Sequence, residues 1–219
     1  SGISVSLDSD GDRVAIGAHY NDGSGSDAGH ARIYSWDGSS WSQLGSDIDG
    51  EAADDRFGRS VSLDSDGDRV AIGAYNNDGN GSDAGHTRIY SWDGSSWNQL
   101  GSDIDGESSG DRSGISVSLD SNGDRVAIGS WRNDGNGSDA GHTRIYSWDG
   151  SSWNQLGSDI DGEAADDRFG RSVSLNSDGD QVAIGALFND GNGSNSGHVR
   201  VYNAFSVQIS GNAGFRMLS

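Results

Sequence analysis

The stretch SVSLDSDGDRVAIG at Ser60–Gly73 reads as two short strands and the turn that joins them. Val61 and Leu63, then Val70 and Ile72, alternate with Ser, Ala or Gly, so each strand has a large apolar face and a small one. Asp64-Ser65-Asp66-Gly67-Asp68 between them is tight-hairpin chemistry, with Gly67 able to take positive φ. The phrase also begins at Ser4, returns at Ser116 with one Asn for Asp, and recurs at Ser172 as SVSLNSDGDQVAIG. Successive copies are 56 residues apart, so the chain is one supersecondary unit written four times. Downstream of each phrase a Gly/Asp/Asn loop leads into GH-x-R-(I/V)-Y. In the first three copies SWDGSSWxQLGSDIDGE then supplies a second hairpin.

Each unit therefore predicts four strands, A to D, in up-and-down order. A unit of this size cannot bury both faces alone and must stack on its neighbours. The fold class expected is all-β: a β-propeller with one four-stranded antiparallel blade per repeat. One domain spans 1–219, with blades at about 1–56, 57–112, 113–168 and 169–219. The last copy departs from the pattern, because NAFSVQISGNAGFRMLS at 203–219 replaces the two-tryptophan hairpin. That segment reads as a capping strand or as the start of a following region.

With 34 acidic residues against 14 basic ones, all arginine, the net charge is −20. Such a chain repels nucleic acid and anionic membrane, and it attracts divalent cations or cationic surfaces. Acidity without lysine also fits a salt-adapted protein. There is no cysteine, hence no disulfide, and no proline. No apolar run is long enough to span a membrane and no signal-peptide pattern is found. The absent initiator Met is read as a mature or trimmed form, and the chain is expected to be secreted or at the cell surface.

FGRSVSLDSDGDRVAIGA at Phe57–Ala74 and FGRSVSLNSDGDQVAIGA at Phe169–Ala186 resemble the FG-GAP repeats of integrin-α-type β-propellers, in particular their bacterial branch. The resemblance extends over all four units. It implies propeller blades, an adhesive or binding role outside the cell, and structural Ca²⁺. Ser1 and Ser113 stand where the motif has Phe, and the family's calcium loop is shortened here to Asp-Ser-Asp-Gly-Asp. The family's usual ring has seven blades, whereas four are present. A closed four-bladed ring, a ring shared between two chains and a fragment of a longer array all stay open, as does exchange of blades between near-identical copies.

Candidate ligands for Ca²⁺ lie in the B–C loops: Asp22; Asp78, Asn80 and Asp83; Asp134, Asn136 and Asp139; Asp190 and Asn192. Oxygens at alternating positions with glycines between them can converge on a hard cation. The same pattern also makes Asx turns that need no ion. The D–A loops, such as SDIDGEAADDRFG at 46–58, bring further carboxylates to the same end of the sheets. Trp36 and Trp41, Trp92 and Trp97, and Trp148 and Trp153 flank the DGSS turns. They read either as cross-strand packing or as platforms for stacking sugars. One histidine per unit, His30, His86, His142 and His198, precedes strand C and reads as a hydrogen-bonding strand residue.

No nucleophile elbow, zinc-protease helix, paired-cysteine motif or phosphate loop occurs, and Ser, His and Asp recur without a unique constellation. The chain is therefore read as a non-enzyme. Trp131, Arg132, Leu187 and Phe188, which break the repeat, read as loop variation. The expected function is a multivalent, calcium-stabilised binding or adhesion propeller whose partner is a protein or glycan at a cell surface. It neither binds nucleic acid nor inserts into membrane, and it is open to homo-oligomerisation. Alternatives are an architectural spacer or filament unit and, behind it, a glycan-active propeller enzyme.

Overall fold

The structure is a computed structural model that describes residues 1–204. Among them there is no helix, and the strands form four successive antiparallel sheets. The first contains β1 (Ser4–Leu7), β2 (Arg13–Ala18), β3 (His30–Trp36), β4 (Trp41–Gln43) and β5 (Ile48–Asp49). The second contains β6 (Ser60–Leu63), β7 (Arg69–Ala74), β8 (His86–Trp92), β9 (Trp97–Gln99) and β10 (Ile104–Asp105). The third contains β11 (Ser113–Leu119), β12 (Arg125–Ser130), β13 (His142–Trp148), β14 (Trp153–Gln155) and β15 (Ile160–Asp161). The fourth contains β16 (Phe169–Leu175), β17 (Gln181–Ala186) and β18 (His198–Asn203), and the expected capping segment falls outside the described residues.

Register explains the alternation of large and small side chains. Val61 lies opposite Ile72 and Leu63 opposite Val70, so the four share one face of the sheet. Ser62 opposite Ala71 and Ser60 opposite Gly73 make the other face small. The large face of each blade packs on the small face of the blade before it. Val61, Leu63, Val70, Ile72 and Tyr90 of the second meet Ala15, Ala31, Ile33 and Ile48 of the first. The third blade repeats this on Ala71, Ile89 and Ile104, and the fourth on Ala127, Ile145 and Ile160. The first strands of neighbouring blades pack side by side, β1 on β6, β6 on β11 and β11 on β16, whereas no comparable packing joins β16 back to β1. The sheets are blades of a β-propeller.

Backbone groups tie the inner strands at a strict one-repeat offset. Leu63 N donates to Ser6 Oγ (3.0 Å), Leu119 N to Ser62 Oγ (2.9 Å) and Leu175 N to Ser118 Oγ (3.0 Å). Ser4, Ser60 and Ser116 donate their hydroxyls to the carbonyls of Gly58, Gly114 and Gly170. Those carbonyls lie where a Cβ on Gly17, Gly73 or Gly129 would be, at about 2 Å, so only glycine fits opposite them.

Strand D differs from expectation. It is interrupted: β4 pairs with the end of β3, and β5, expected as loop, pairs with its beginning. The break falls at Gly45, whose φ is +77° and against which Trp92 and Trp97 of the next blade are seated. Trp97 Nε1 donates to Leu44 O (2.9 Å) and Trp153 Nε1 to Leu100 O (2.8 Å), so an indole of the following blade takes a carbonyl exposed at the break.

Candidate functional site

The B–C and D–A loops meet at one end of the blades. Their carboxylates are largely committed to protein donors. Asp22, Asp78, Asp134 and Asp190 each accept, through Oδ1, the backbone N–H five residues on, at 2.6–2.8 Å. Asn80 and Asn136 donate to Gly106 O and Gly162 O (2.7 and 2.6 Å), fastening each loop to the D–A loop of its own repeat. Asp83 lies 3.5 Å from Arg112 and has φ +53°, and Asp139 has φ +50°. Asp55, Asp111 and Asp167, all buried, accept from Asn77, Asn133 and Asn189 of the following blade at 3.2, 3.0 and 2.8 Å. These Asp–Asn ties between blades were not singled out from the sequence. Their signal was recurrence at a fixed 22-residue separation.

The groups that do lie together as a metal-type trio are others: His30 with Asp47 and Asp49; His86 with Glu51 and Asp103; His142 with Glu107 and Asp159. His86 Nδ1 is 3.4 Å from Asp103, and His142 Nδ1 is 3.5 Å from Asp159. Burial first, and Arg144 second, push the His142 imidazole down to about 4, so it is neutral at pH 7. A guanidinium already shares each later trio: Arg88 is 3.3 Å from Glu51 and Arg144 is 3.5 Å from Glu107. In the first blade Arg32 instead takes Asp47 with two hydrogen bonds, at 2.8 and 2.7 Å, holding that carboxyl down at about 2. A buried imidazole with two carboxylates suits a zinc-like ion better than Ca²⁺, which asks for oxygens alone. The neighbouring Arg already neutralises the charge that would hold such an ion. None of the B–C loop carboxylates expected to hold Ca²⁺ belongs to such a trio among the described residues.

The tryptophans form the expected cross-strand pairs, with ring centroids 5.4–5.6 Å apart and planes inclined by 47–49°. The later two pairs clamp the preceding blade, whereas Trp36 and Trp41 are 41% and 44% exposed. At the opposite end from the loops, Leu7, Asp8, Leu63, Asp64, Leu119, Asp120, Leu175 and Asn176 line a central opening of about 240 Å³. Asp64 is buried there and pushed up to about 6.

Three of the residues that break the repeat, Trp131, Arg132 and Phe188, come together on the loop side. The guanidiniums of Arg132, Arg168 and Arg171 stand 4.9, 4.7 and 5.5 Å from the Trp131 ring, and Arg168 also lies 4.8 Å from Phe188. The indole N–H of Trp131 and Nε of both Arg132 and Arg168 are buried without a hydrogen-bond partner. Desolvation and the nearby Arg59 lower the pKa of Arg171, as two cations held close require. Simpler versions recur at the other junctions, Arg56 over Tyr20 at 4.3 Å and Arg112 over Tyr75 at 5.6 Å. The repeat-breaking positions, read from sequence as loop variation, thus build the one arginine-rich aromatic cluster of this kind among the described residues.

Comparison with known proteins agrees with this architecture. The FG-GAP repeat family model matches residues 47–90 and 158–202, the two segments that contain Phe57 and Phe169. No curated protein sequence matches the chain. Among solved structures, a putative 6-phosphogluconolactonase from Bacteroides uniformis superposes with a TM-score of 0.58 at 10% identity, over 91% of this chain and 49% of that one. Hydrazine synthase from Kuenenia stuttgartiensis gives 0.57 at 8% identity, over 96% and 48%. The chain spans about half the length of these structures, and the likeness is one of fold.

Proposed function

The chain carries FG-GAP repeats as blades of a β-propeller, and from that premise we propose that it is a binding or adhesion module acting outside the cell or at its surface. The observation that carries the reading is the Trp131 cluster. Three guanidiniums surround one indole on a chain whose net charge is −20, so local positive charge has been concentrated against the charge of the whole. The guanidiniums held against the indole pair with carboxylate or sulfate, so the ligand class is an acidic saccharide on a glycan or glycoprotein. The related pairs at Arg56–Tyr20 and Arg112–Tyr75 offer weaker copies one blade apart, and avidity follows from their number. FG-GAP repeats are typical of extracellular proteins, and no described helix is long and apolar enough to cross a membrane. The His and carboxylate groups repeat from blade to blade without a unique nucleophile and base, which favours recognition over catalysis.

Calcium belongs to the same reading, held by remaining oxygens of Asp78, Asn80 and Asp83 and their counterparts in the loops of other blades. Its role would be to draw rim carboxylates together and rigidify the binding face.

A glycan array probed with the full chain tests the proposal. Uronate-bearing or sulfated saccharides should bind and their neutral analogues should not. W131A and R171Q should each weaken binding about tenfold or more while the melting temperature stays within a few degrees. Millimolar CaCl₂ should raise the melting temperature where NaCl of equal ionic strength does not. Indifference to saccharide charge, or binding untouched by both substitutions, would remove the cluster from the function. An unchanged melting temperature would remove calcium.

A further inference from the structure

The sequence SGISVSLDS occurs twice, at 1–9 and at 113–121, and the two copies have opposite surroundings. In the third blade Ile115, Val117 and Leu119 are 4%, 8% and 6% exposed, covered by the second blade. In the first blade the same residues, Ile3, Val5 and Leu7, are 48%, 66% and 59% exposed. The fourth blade has the converse feature: a cleft of about 440 Å³ whose lining includes Arg171, Ser172, Gly185, Gly197 and Val199. Shifted back by one repeat, Gly185, Gly197 and Val199 become Gly129, Gly141 and Thr143, the residues against which Phe169 and Gly170 are seated. The three atoms nearest to a Cβ on Gly185 all belong to its own Ser172, and Val199 is 61% exposed.

We propose that this cleft receives the first blade of a second copy of the chain, head to tail. The junctions inside the chain specify every contact. Ser116 Oγ donates to Gly170 O, so Ser172 Oγ donates to Gly2 O of the second copy. Leu175 N donates to Ser118 Oγ, so Leu7 N of that copy donates to Ser174 Oγ. Ser121 N donates to Ser177 O, so Ser177 N donates to Ser9 O. The glycine carbonyl that excludes a Cβ from Gly129 has a vacant equivalent beside Gly185. Val5 and Leu7 cover Ala183 and Val201 as Val117 and Leu119 cover Ala71 and Ile89. Ser at the entry position is compatible, because Ser113 N donates to Ala84 O and Ser113 is fully buried against the second blade. The contact is heterologous, so two copies close into a ring if the rotation per blade permits and extend into a filament if it does not. Like charge opposes the encounter, so association strengthens with salt.

Sedimentation of the full chain, with L7D and V199R variants, tests the proposal. Both side chains are exposed, so both variants should keep the circular dichroism and melting temperature of the parent. The parent should sediment as two or more chains per particle in moderate salt, and each variant alone as a monomer. An equimolar mixture should recover a one-to-one pair, because the first variant keeps an intact tail and the second an intact head. A monomeric parent at every concentration, assembly that survives both substitutions, or a mixture that stays monomeric would overturn the proposal.

Discussion

Asp64 shows how a single carboxylate is placed at a cost. It is 4% exposed, its Oδ1 accepts Arg69 N at 3.1 Å, and burial together with Asp68 pushes it up to about 6. Between the unfolded value of 3.8 and about 6 the folded chain binds more protons than the unfolded one, so this residue subtracts stability as pH rises through that window. The fourth blade has Asn176 at the same position, and its Oδ1 accepts Gln181 N at 2.9 Å. Asp64→Asn should therefore keep the turn and raise stability at pH 7 by about 1 kcal/mol, with the gain fading below about pH 4. Urea unfolding of both proteins across that range checks it, and equal stability at pH 7 would show that the charge is not confined. His142 slopes the other way. Its folded value of about 4 lies below 6.5, so its contribution is full above pH 6.5 and is lost as pH falls towards 4.

At the scale of the element, packing of a large face on a small one carries the stability. Ile72 is fully buried between the first two blades, and Ile72→Ala should destabilise the chain by about 2–5 kcal/mol in chemical denaturation. A loss below about 0.5 kcal/mol would mean that this face is not the junction. Strands A, B and C were legible in the sequence because Val61, Leu63, Val70 and Ile72 alternate with small residues in a period of two. The break in strand D was not, because its cause lies one blade away: Gly45 and Leu44 are set by Trp92 and Trp97 of the following repeat. The loop carboxylates were read in the right region of the fold. Their partners, Asn77 for Asp55 and Arg112 for Asp83, come from other loops, and spacing along the chain does not reveal them. Trp131 and Arg132 were visible as departures from the repeat. Their meaning needed the arrival of Arg168 from the far end of the same repeat and of Arg171 from the next blade.

At the scale of the whole molecule, each large face covers the small face before it, leaving one face of each kind at the two ends of the described series of blades. The duplicated SGISVSLDS strand provides an internal control, since its two copies share local sequence and differ in tertiary surroundings. Leu119 N donates to Ser62 Oγ at 2.9 Å, whereas no blade among the described residues offers Leu7 N the same acceptor. Residue-resolved hydrogen exchange on the V199R chain, whose tail face is blocked while its first strand is unaltered, compares the two amides directly. Leu7 should exchange much faster than Leu119. Equal protection of the two amides would contradict it, because the first blade would then have to be covered within its own chain.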